Sequence, residues 1–356
     1  MIRHIISVET SCDDTSVALV DQNGFVIQQL TASQDLEHVP YGGVVPEIAS
    51  RNHSLALLPL INSLLHKAEL TFKQIDGFAV TNRPGLIGSL IVGLVTVKSL
   101  AQSLDKPFIG VNHLEGHLLA PFLKDKEYAP PENFNYPYIA LAVSGGHTSL
   151  YWVENFSKYT IIGSTKDDAA GEAFDKFAKI VGLGYPGGIQ VDRHAKNGNR
   201  NKFDFPRSLI AEKNLMMSFS GLKSSASRLI QTMSEVEIKR ELNDLCASYQ
   251  EAIVDVLIHK LKYACQIYHT HKCVITGGVS ANSRLREKVL EMSKQGFEVV
   301  IPPLRYCTDN AAMIGYAGIQ YLNSGIQSDY QLPPLSSSLP SDFNIDLYQQ
   351  AVIGKS

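Results

Sequence analysis

His113 and His117 are the residues of this chain whose type and spacing point most directly to chemistry. They stand in the run Val111-Asn112-His113-Leu114-Glu115-Gly116-His117-Leu118-Leu119-Ala120-Pro121. Four residues apart on a helix, two imidazoles share a face one turn apart, and neutral imidazole is the commonest protein ligand for Zn or Fe(II). Two such ligands leave several coordination positions open. The zinc-protease pattern H-E-x-x-H is not met, because Leu114 follows His113. The one acid between the histidines, Glu115, projects about 200° around the helix from His113, at about 100° per residue. That direction does not offer it to a water held by both rings, so peptidase chemistry is disfavoured while metal binding is not. A chance histidine pair on a solvated face is the plain alternative.

Three glycine-containing turns follow strand-like runs, and each could hold a phosphate. Ser144-Gly145-Gly146-His147 joins two strands, where adjacent glycines let backbone N–H groups approach an anion without Cβ interference. Val274 to Asn282 runs from a strand through Gly277-Gly278 into a helix over Ser283–Glu291, which offers amides and a positive helix end. The third turn is Gly182-Leu183-Gly184-Tyr185-Pro186-Gly187-Gly188. Neither a dinucleotide-binding G-x-G-x-x-G nor a P-loop spacing is present. A tight hairpin explains the first turn equally well on its own; the three together favour a nucleotide.

Between Asp192 and Arg228 lie eight basic residues (Arg193, Lys196, Arg200, Lys202, Arg207, Lys213, Lys223, Arg228) and three acids. This stretch is either a solvated surface or a footprint for a phosphate backbone. The chain as a whole gives no such signal, with a net charge of −3 over 356 residues. An apolar fraction of 44% fits an ordinary globular protein with room for two domains. Five scattered cysteines without a C-x-x-C suggest reduced thiols in a cytosolic setting. The N-terminus enters a strand-like run at once, which leaves no room for a leader peptide. The apolar stretch Leu86–Leu104 is interrupted by Gly88, Ser89, Gly93, Thr96 and Lys98, and reads as a buried helix rather than a membrane span. A cytoplasmic protein without membrane contact is expected.

The elements that must position these residues are legible as patterns. Ile5–Thr10 and Ser16–Asp21 form a hairpin across Ser11-Cys12-Asp13-Asp14. Tyr138–Val143 and Thr148–Val153 repeat the device. Ile75–Thr81, Leu86–Leu104 and Phe108–Val111 form a βαβ unit turned at Arg83-Pro84-Gly85. Asp168–Val181 and Leu245–Tyr268 are helices by apolar periodicity. Two halves of this kind imply a duplicated α/β architecture, with a boundary in the Pro-rich segment Lys124–Pro137 and a ligand cleft between lobes. The expected domains are 1–130, carrying the His pair, and 131–323, carrying the glycine turns and the basic stretch. Residues 324–356 read as a loosely ordered tail with the first lobe as its candidate packing surface.

Taken in order, eight runs resemble one family closely. They are Glu9-Thr10-Ser11-Cys12-Asp13-Asp14-Thr15, the run Tyr41 to Arg51, Asn112 to His117, Val143 to Thr148, Asp168 to Lys176, Phe219 to Lys223, Gly277 to Asn282 and Thr308 to Ile314. The family is that of the tRNA N6-adenosine threonylcarbamoyltransferases, in its bacterial branch. The resemblance implies an α/β fold of two duplicated lobes, as in the actin, sugar-kinase and Hsp70 ATPase superfamily, with an interlobe nucleotide cleft. It implies Asp309 as third ligand beside His113 and His117 for one divalent metal, Fe(II) or Zn. Spacing alone would make Asp309 a helix N-cap before Asn310–Tyr316. It implies nucleotide contacts at Ala142, Val143, Ser144, Gly145, Gly146, Asp175, Gly188, Asp192 and Asn282. Without it, Asp175 pairs with Lys179 on its helix. Ala142, Ser208 and Ser224 depart from the family's usual residues.

The activity implied is transfer of a threonylcarbamoyl group from threonylcarbamoyl-AMP to N6 of the adenosine 3′ to the anticodon, in tRNAs that read codons beginning with adenine. The partners implied are tRNA, a non-catalytic paralogue and a small ATPase. Arg193, Lys196 and Arg200 are the candidate tRNA contacts. Two rivals are a small-molecule kinase using Asp13 or Asp14 beside Mg²⁺–ATP, and a non-catalytic scaffold. The scaffold would lack the ligand set that this chain carries.

Overall fold

The computed structural model describes residues 2–339 and 342–345. It divides into two compact units, one reaching Phe134 and regaining the chain over Pro302–Asp342, the other built on Asn135–Ile301. The first unit opens with a meander of β1 (His4–Glu9), β2 (Thr15–Asp21) and β3 (Val26–Ala32), all antiparallel. After α1 (Asp35–His38) and α2 (Pro46–Lys67) come β4 (Gly77–Arg83), α3 (Ile87–Leu104) and β5 (Phe108–Asn112), then α4 (His113–Leu119). β4 and β5 join in parallel, giving the order β3-β2-β1-β4-β5. Strands buried on both faces are why β1 and β4 read as nearly continuous apolar runs.

The second unit repeats the scheme. β6 (Tyr138–Val143), β7 (Thr148–Asn155) and β8 (Lys158–Ser164) form the meander. Four helices follow: α5 (Ala170–Ile180), α6 (Gly187–Ala195), α7 (Ser220–Gln231) and α8 (Glu235–Ile267). Then β9 (Lys272–Thr276), α9 (Ser283–Lys294) and β10 (Glu298–Val300) extend the sheet in parallel. The chain returns to the first unit as α10 (Leu304–Cys307) and α11 (Ala311–Asn323), and a short β11 (Asn344–Ile345) pairs with β8. The duplicated α/β fold read from the two hairpins is the fold observed.

Several boundaries move. The second domain cannot extend to residue 323: α11 packs on β1, β2, β4 and β5, so Asp309 and everything to Asp342 belong with the first unit. α8 starts ten residues before Leu245, because Ser234 and Glu237 form a capping box that starts a polar first stretch with no apolar period. α3 buries only one face (Leu90, Gly93, Leu94, Val97, Ala101); Ile87, Ile91 and Val95 are exposed, so it is not the buried helix expected. By length and apolarity it is the one helix among the described residues that could cross a membrane. The expected loose tail is described to residue 339, and its backbone bonds β5 at Ser328 and β4 at Leu335, so it packs on the first unit as expected; residues 340, 341 and 346–356 lie outside the described residues. All five cysteines are free thiols.

Candidate metal and nucleotide sites

α4 is short and entirely buried, and its start is fixed by Asn112, whose Oδ1 accepts from Leu114 N (2.8 Å) and Glu115 N (3.4 Å). Both imidazoles leave the helix on one face with ring centroids 4.7 Å apart. Gly116, between them, lets α4 close on α11: a Cβ there would meet Met313 Cγ and Ile314 Cδ1 at 2.9 Å. That close approach brings Asp309, just before α11, to the histidines. Asp309 Oδ1 is 3.4 Å from His113 Nε2 and 3.2 Å from His117 Nε2. The cap of α11 is Asn310, whose side chain accepts from Met313 N, so Asp309 is not the N-cap that spacing suggested.

The three donor atoms lie within 4.8 Å of one another. Ligand atoms about 2.0–2.1 Å from a tetrahedral ion sit roughly 3.3 Å apart, so the two measured edges fit a metal such as zinc. Two imidazoles and a carboxylate with open positions equally suit Fe(II). His117 Nδ1 is buried and has no hydrogen-bond partner among the described residues.

Behind His113 sits Glu9, fully buried at the end of β1. Its Oε2 is 3.0 Å from His113 Nδ1 and accepts from Thr81 Oγ1 (2.5 Å), while Oε1 accepts from Ser11 N (2.5 Å). Sequence reasoning gave Glu9 no role, although an acid ending an apolar strand was a usable signal. Burial works against charge on His113, but Asp309 and Glu9 on either side hold its pKa well above the ordinary value. Burial likewise opposes ionisation of Asp309 and Glu9, and the facing imidazole holds both below the usual range. His117 is shifted down, chiefly by burial. Glu115 takes no part: it accepts from Tyr321 OH at 2.6 Å.

The turn Ser11–Asp14 lies against this site through Ser11 Oγ, 3.1 Å from His113 Nδ1. His53 on α2 fixes the turn, with Nε2 donating to Cys12 O (2.9 Å) and Nδ1 facing Thr15 Oγ1 (2.7 Å). Burial, then Asp13 and Asp309, pushes the Asp14 carboxyl up to about 7.

The nucleotide candidates all fall in the second unit. Ala142 and Val143 end β6, and Ser144 N donates to His147 O across the turn. A Cβ at Gly145 or Gly146 would meet nothing within 4 Å, so packing does not demand glycine at either position. Asp175 does not pair with Lys179: its Oδ1 accepts from Gly187 N (2.8 Å) and Gly188 N (3.3 Å), binding α5 to the start of α6. Asp192 Oδ1 accepts from Ser283 N and Oγ, and Asn282 caps α9 while donating to Gln250 Oε1. Thr276 Oγ1 and Ser280 Oγ, flanking Gly277-Gly278, are buried without partners among the described residues.

Of the basic stretch, Lys202 is bound by Glu241 and Asp244 and Arg207 by Asp255, so these two serve the fold. Arg193 and Lys196 are exposed and form no ion pair among the described residues, and Arg200 only reaches Glu287 at 3.9 Å. Lys196 and Arg200 line a recess of about 80 Å³ with Gln250, Ser283 and Arg284.

A family model described as tRNA N6-adenosine threonylcarbamoyltransferase matches residues 25–316. A protein of that name from Bdellovibrio bacteriovorus is 59% identical over 344 residues, 96% of this chain and all of the relative. Another from Syntrophus aciditrophicus is 46% identical over 333 residues, 93% of this chain and 96% of the relative. Among solved structures, full-length HypF in its phosphate- and nucleotide-bound form aligns with 92% of this chain and 56% of its own, at 13% identity and a TM-score of 0.60. That likeness shows a shared fold.

Proposed function

The chain belongs to the tRNA N6-adenosine threonylcarbamoyltransferase family, acyltransferases that modify tRNA, and from that premise we propose its substrates, metal and binding surfaces. The donor is threonylcarbamoyl-AMP and the acceptor is N6 of the adenosine 3′ to the anticodon, in tRNAs that read codons beginning with adenine. One divalent ion, Fe(II) or Zn, is held by His113, His117 and Asp309. The observation that carries this reading is the convergence of two Nε2 atoms and Asp309 Oδ1, from segments 192 residues apart, on one point, with both histidines buried.

The chemistry sets the tasks. The donor is a mixed anhydride, so its carbonyl carbon is already electrophilic and AMP is a good leaving group. The N6 amine is a weak nucleophile, because its lone pair is delocalised into the purine. Transfer forms the carbon–nitrogen bond, breaks the bond from carbonyl carbon to phosphate oxygen, and releases AMP with that electron pair and one proton from N6. When bound, the ion would supply Lewis-acid stabilisation of the donor's oxygens and a template for orientation. Glu9 and Thr81 keep His113 aimed, and the buried walls of α4 and α11 exclude water that would hydrolyse the donor. The loops Ala142–Gly146, Gly187-Gly188 and Gly277–Asn282 bind the adenylate through backbone amides, with Asp175, Asp192 and Asn282 shaping them. Arg193, Lys196 and Arg200 bind tRNA phosphates.

A cytoplasmic setting and two protein partners, a non-catalytic paralogue and a small ATPase, complete the proposal; co-purification with each and its effect on transfer test that part. The reading itself is tested by transfer from preformed threonylcarbamoyl-AMP to unmodified tRNA. Loss of transfer in His117→Ala, with AMP binding retained, supports it, and undiminished transfer overturns it.

A further inference from the structure

The segment after α11 lies beyond the span that the family model matches, and no role attaches to it. It runs as a strap along β5, the edge strand of the first sheet. Ser328 N donates to Phe108 O (2.8 Å), and Gly110 N donates to Ser328 Oγ (3.0 Å). Lys98 Nζ donates to Tyr330 O and Leu332 O, and Leu335 N donates to Asn82 O. An edge strand's unpaired backbone groups are thereby covered, which alone would be a sufficient structural reason for residues 328–335.

The end of the strap does something that edge protection does not require. Asp342, whose side chain is only 6% exposed, receives Arg83 through both Nε and Nη2 and accepts from Leu339 N at 2.7 Å. Its Oδ2 also accepts from Asn112 Nδ2 at 2.9 Å, and Ser338 Oγ accepts from the same amide nitrogen at 3.1 Å. Asn112 is the residue whose other amide atom, Oδ1, caps α4. An amide rotated by half a turn would set its NH₂ against the Leu114 and Glu115 N–H groups, donor against donor. A carboxylate accepts only, so Asp342 permits one orientation of the Asn112 amide, the one in which the cap is made. The next residue in the chain is His113.

We propose that Asp342 is a positioning residue for the histidine helix: by fixing the Asn112 carboxamide it sets the N-cap of α4 and with it the aim of His113. The proposal takes from the preceding section that His113 and His117 are ligands, and it is tested by a readout that does not need that reading.

The experiment uses the full chain. Amide hydrogen exchange at Leu114 and Glu115 is measured for wild type, Asp342→Ala, Asn112→Ser and the double variant Asn112→Ser/Asp342→Ala, alongside a zinc titration of each. Asp342→Ala is expected to speed exchange at both amides about tenfold and weaken zinc binding by about the same factor. A serine hydroxyl still caps the helix but has no carboxamide for Asp342 to orient, so in the Asn112→Ser background loss of Asp342 is expected to leave both readouts where Asn112→Ser alone puts them. A strap that acts on α4 by another route, through Arg83 or Leu339 N, gives the same change in both backgrounds. Unchanged exchange in Asp342→Ala, or an equal effect in both backgrounds, overturns the proposal. A wild type that takes up no zinc overturns the metal reading instead, and the exchange rates still decide the role of Asp342.

Discussion

Glu9 Oε2 lies 3.0 Å from His113 Nδ1, and the carboxylate is fully buried. The contact requires a proton on Nδ1, so the lone pair of the neutral ring sits on Nε2, facing Asp309. A metal-bound histidine whose second nitrogen is held by a carboxylate is more basic and better oriented than one without it. Glu9→Gln keeps the shape and removes the charge. It is expected to weaken zinc or iron affinity by about 10–100-fold, read by titration calorimetry on folded protein. Unchanged affinity would show that the contact has no bearing on the ion.

In the proposed site an ion and a proton would compete for His113 Nε2. Asp309 and Glu9, against the opposing effect of burial, hold the pKa of this ring well above the ordinary value, so it keeps a second proton more readily than a free imidazole when no ion is bound. Uptake of the ion must therefore release a proton, and affinity falls as pH falls. Calorimetry in buffers of different ionisation heat is expected to report about one proton released per ion at pH 7. For protein stripped with a chelator the sign is opposite. A raised imidazole pKa gives stability that is fully present below about 6.5 and lost as pH rises through the folded value. Tm of the stripped protein should thus decline above neutrality, and added metal should reverse the decline.

Asp14 carries the other large shift near neutrality. Its carboxyl, ordinarily near 3.9, is pushed up to about 7 by burial, then by Asp13 and Asp309. The unfolded chain loses this proton first, so Asp14 makes the fold progressively less stable between about pH 4 and pH 7. Asp14→Asn removes that cost and is expected to raise stability at pH 8 by on the order of 2 kcal/mol, discounted for partial exposure, with little change at pH 4. Thermal melts at the two pH values check it. A lower Tm at pH 8 would contradict the assignment.

Arg193, Lys196 and Arg200 are tested by reversing all three to Glu. Affinity for unmodified tRNA is expected to drop at least about tenfold at physiological salt, and the dependence of binding on salt to become shallower. AMP binding should not change through loss of phosphate contacts alone. Equal tRNA affinity at all salt concentrations would remove this surface from the account.

Much of the architecture is readable in the sequence because its signals are local. Apolar runs broken at Ser11–Asp14 and Ser144–His147 give both hairpins, and the i, i+4 spacing gives the two histidines of the proposed metal site. Asp309 shows no such signal: its neighbours read as a helix start, and only the family resemblance placed it beside His113. Glu9 and Thr81 meet His113 through sheet pairing between β1 and β4, which no spacing encodes. Asp175 misleads because an i, i+4 partner is present in the chain, yet the Gly187 and Gly188 amides are nearer to hand once α6 packs on α5. Packing of the tail on the first lobe is the part of the strap that the sequence suggests; its course along β5 and β4 is not legible, because its backbone bonds are irregular and the Pro- and Ser-rich composition of residues 333–340 resembles that of a disordered tail.

The central claim is that one ion is gripped jointly by His113, His117 and Asp309. Crystals of anaerobically purified protein with threonylcarbamoyl-AMP, measured on both sides of the iron and zinc absorption edges, test it most directly. The account requires one anomalous peak bonded to both Nε2 atoms and Asp309 Oδ1, with a donor oxygen in an open position. An adenylate bound in full with no peak there, or a peak held by other residues, would contradict it.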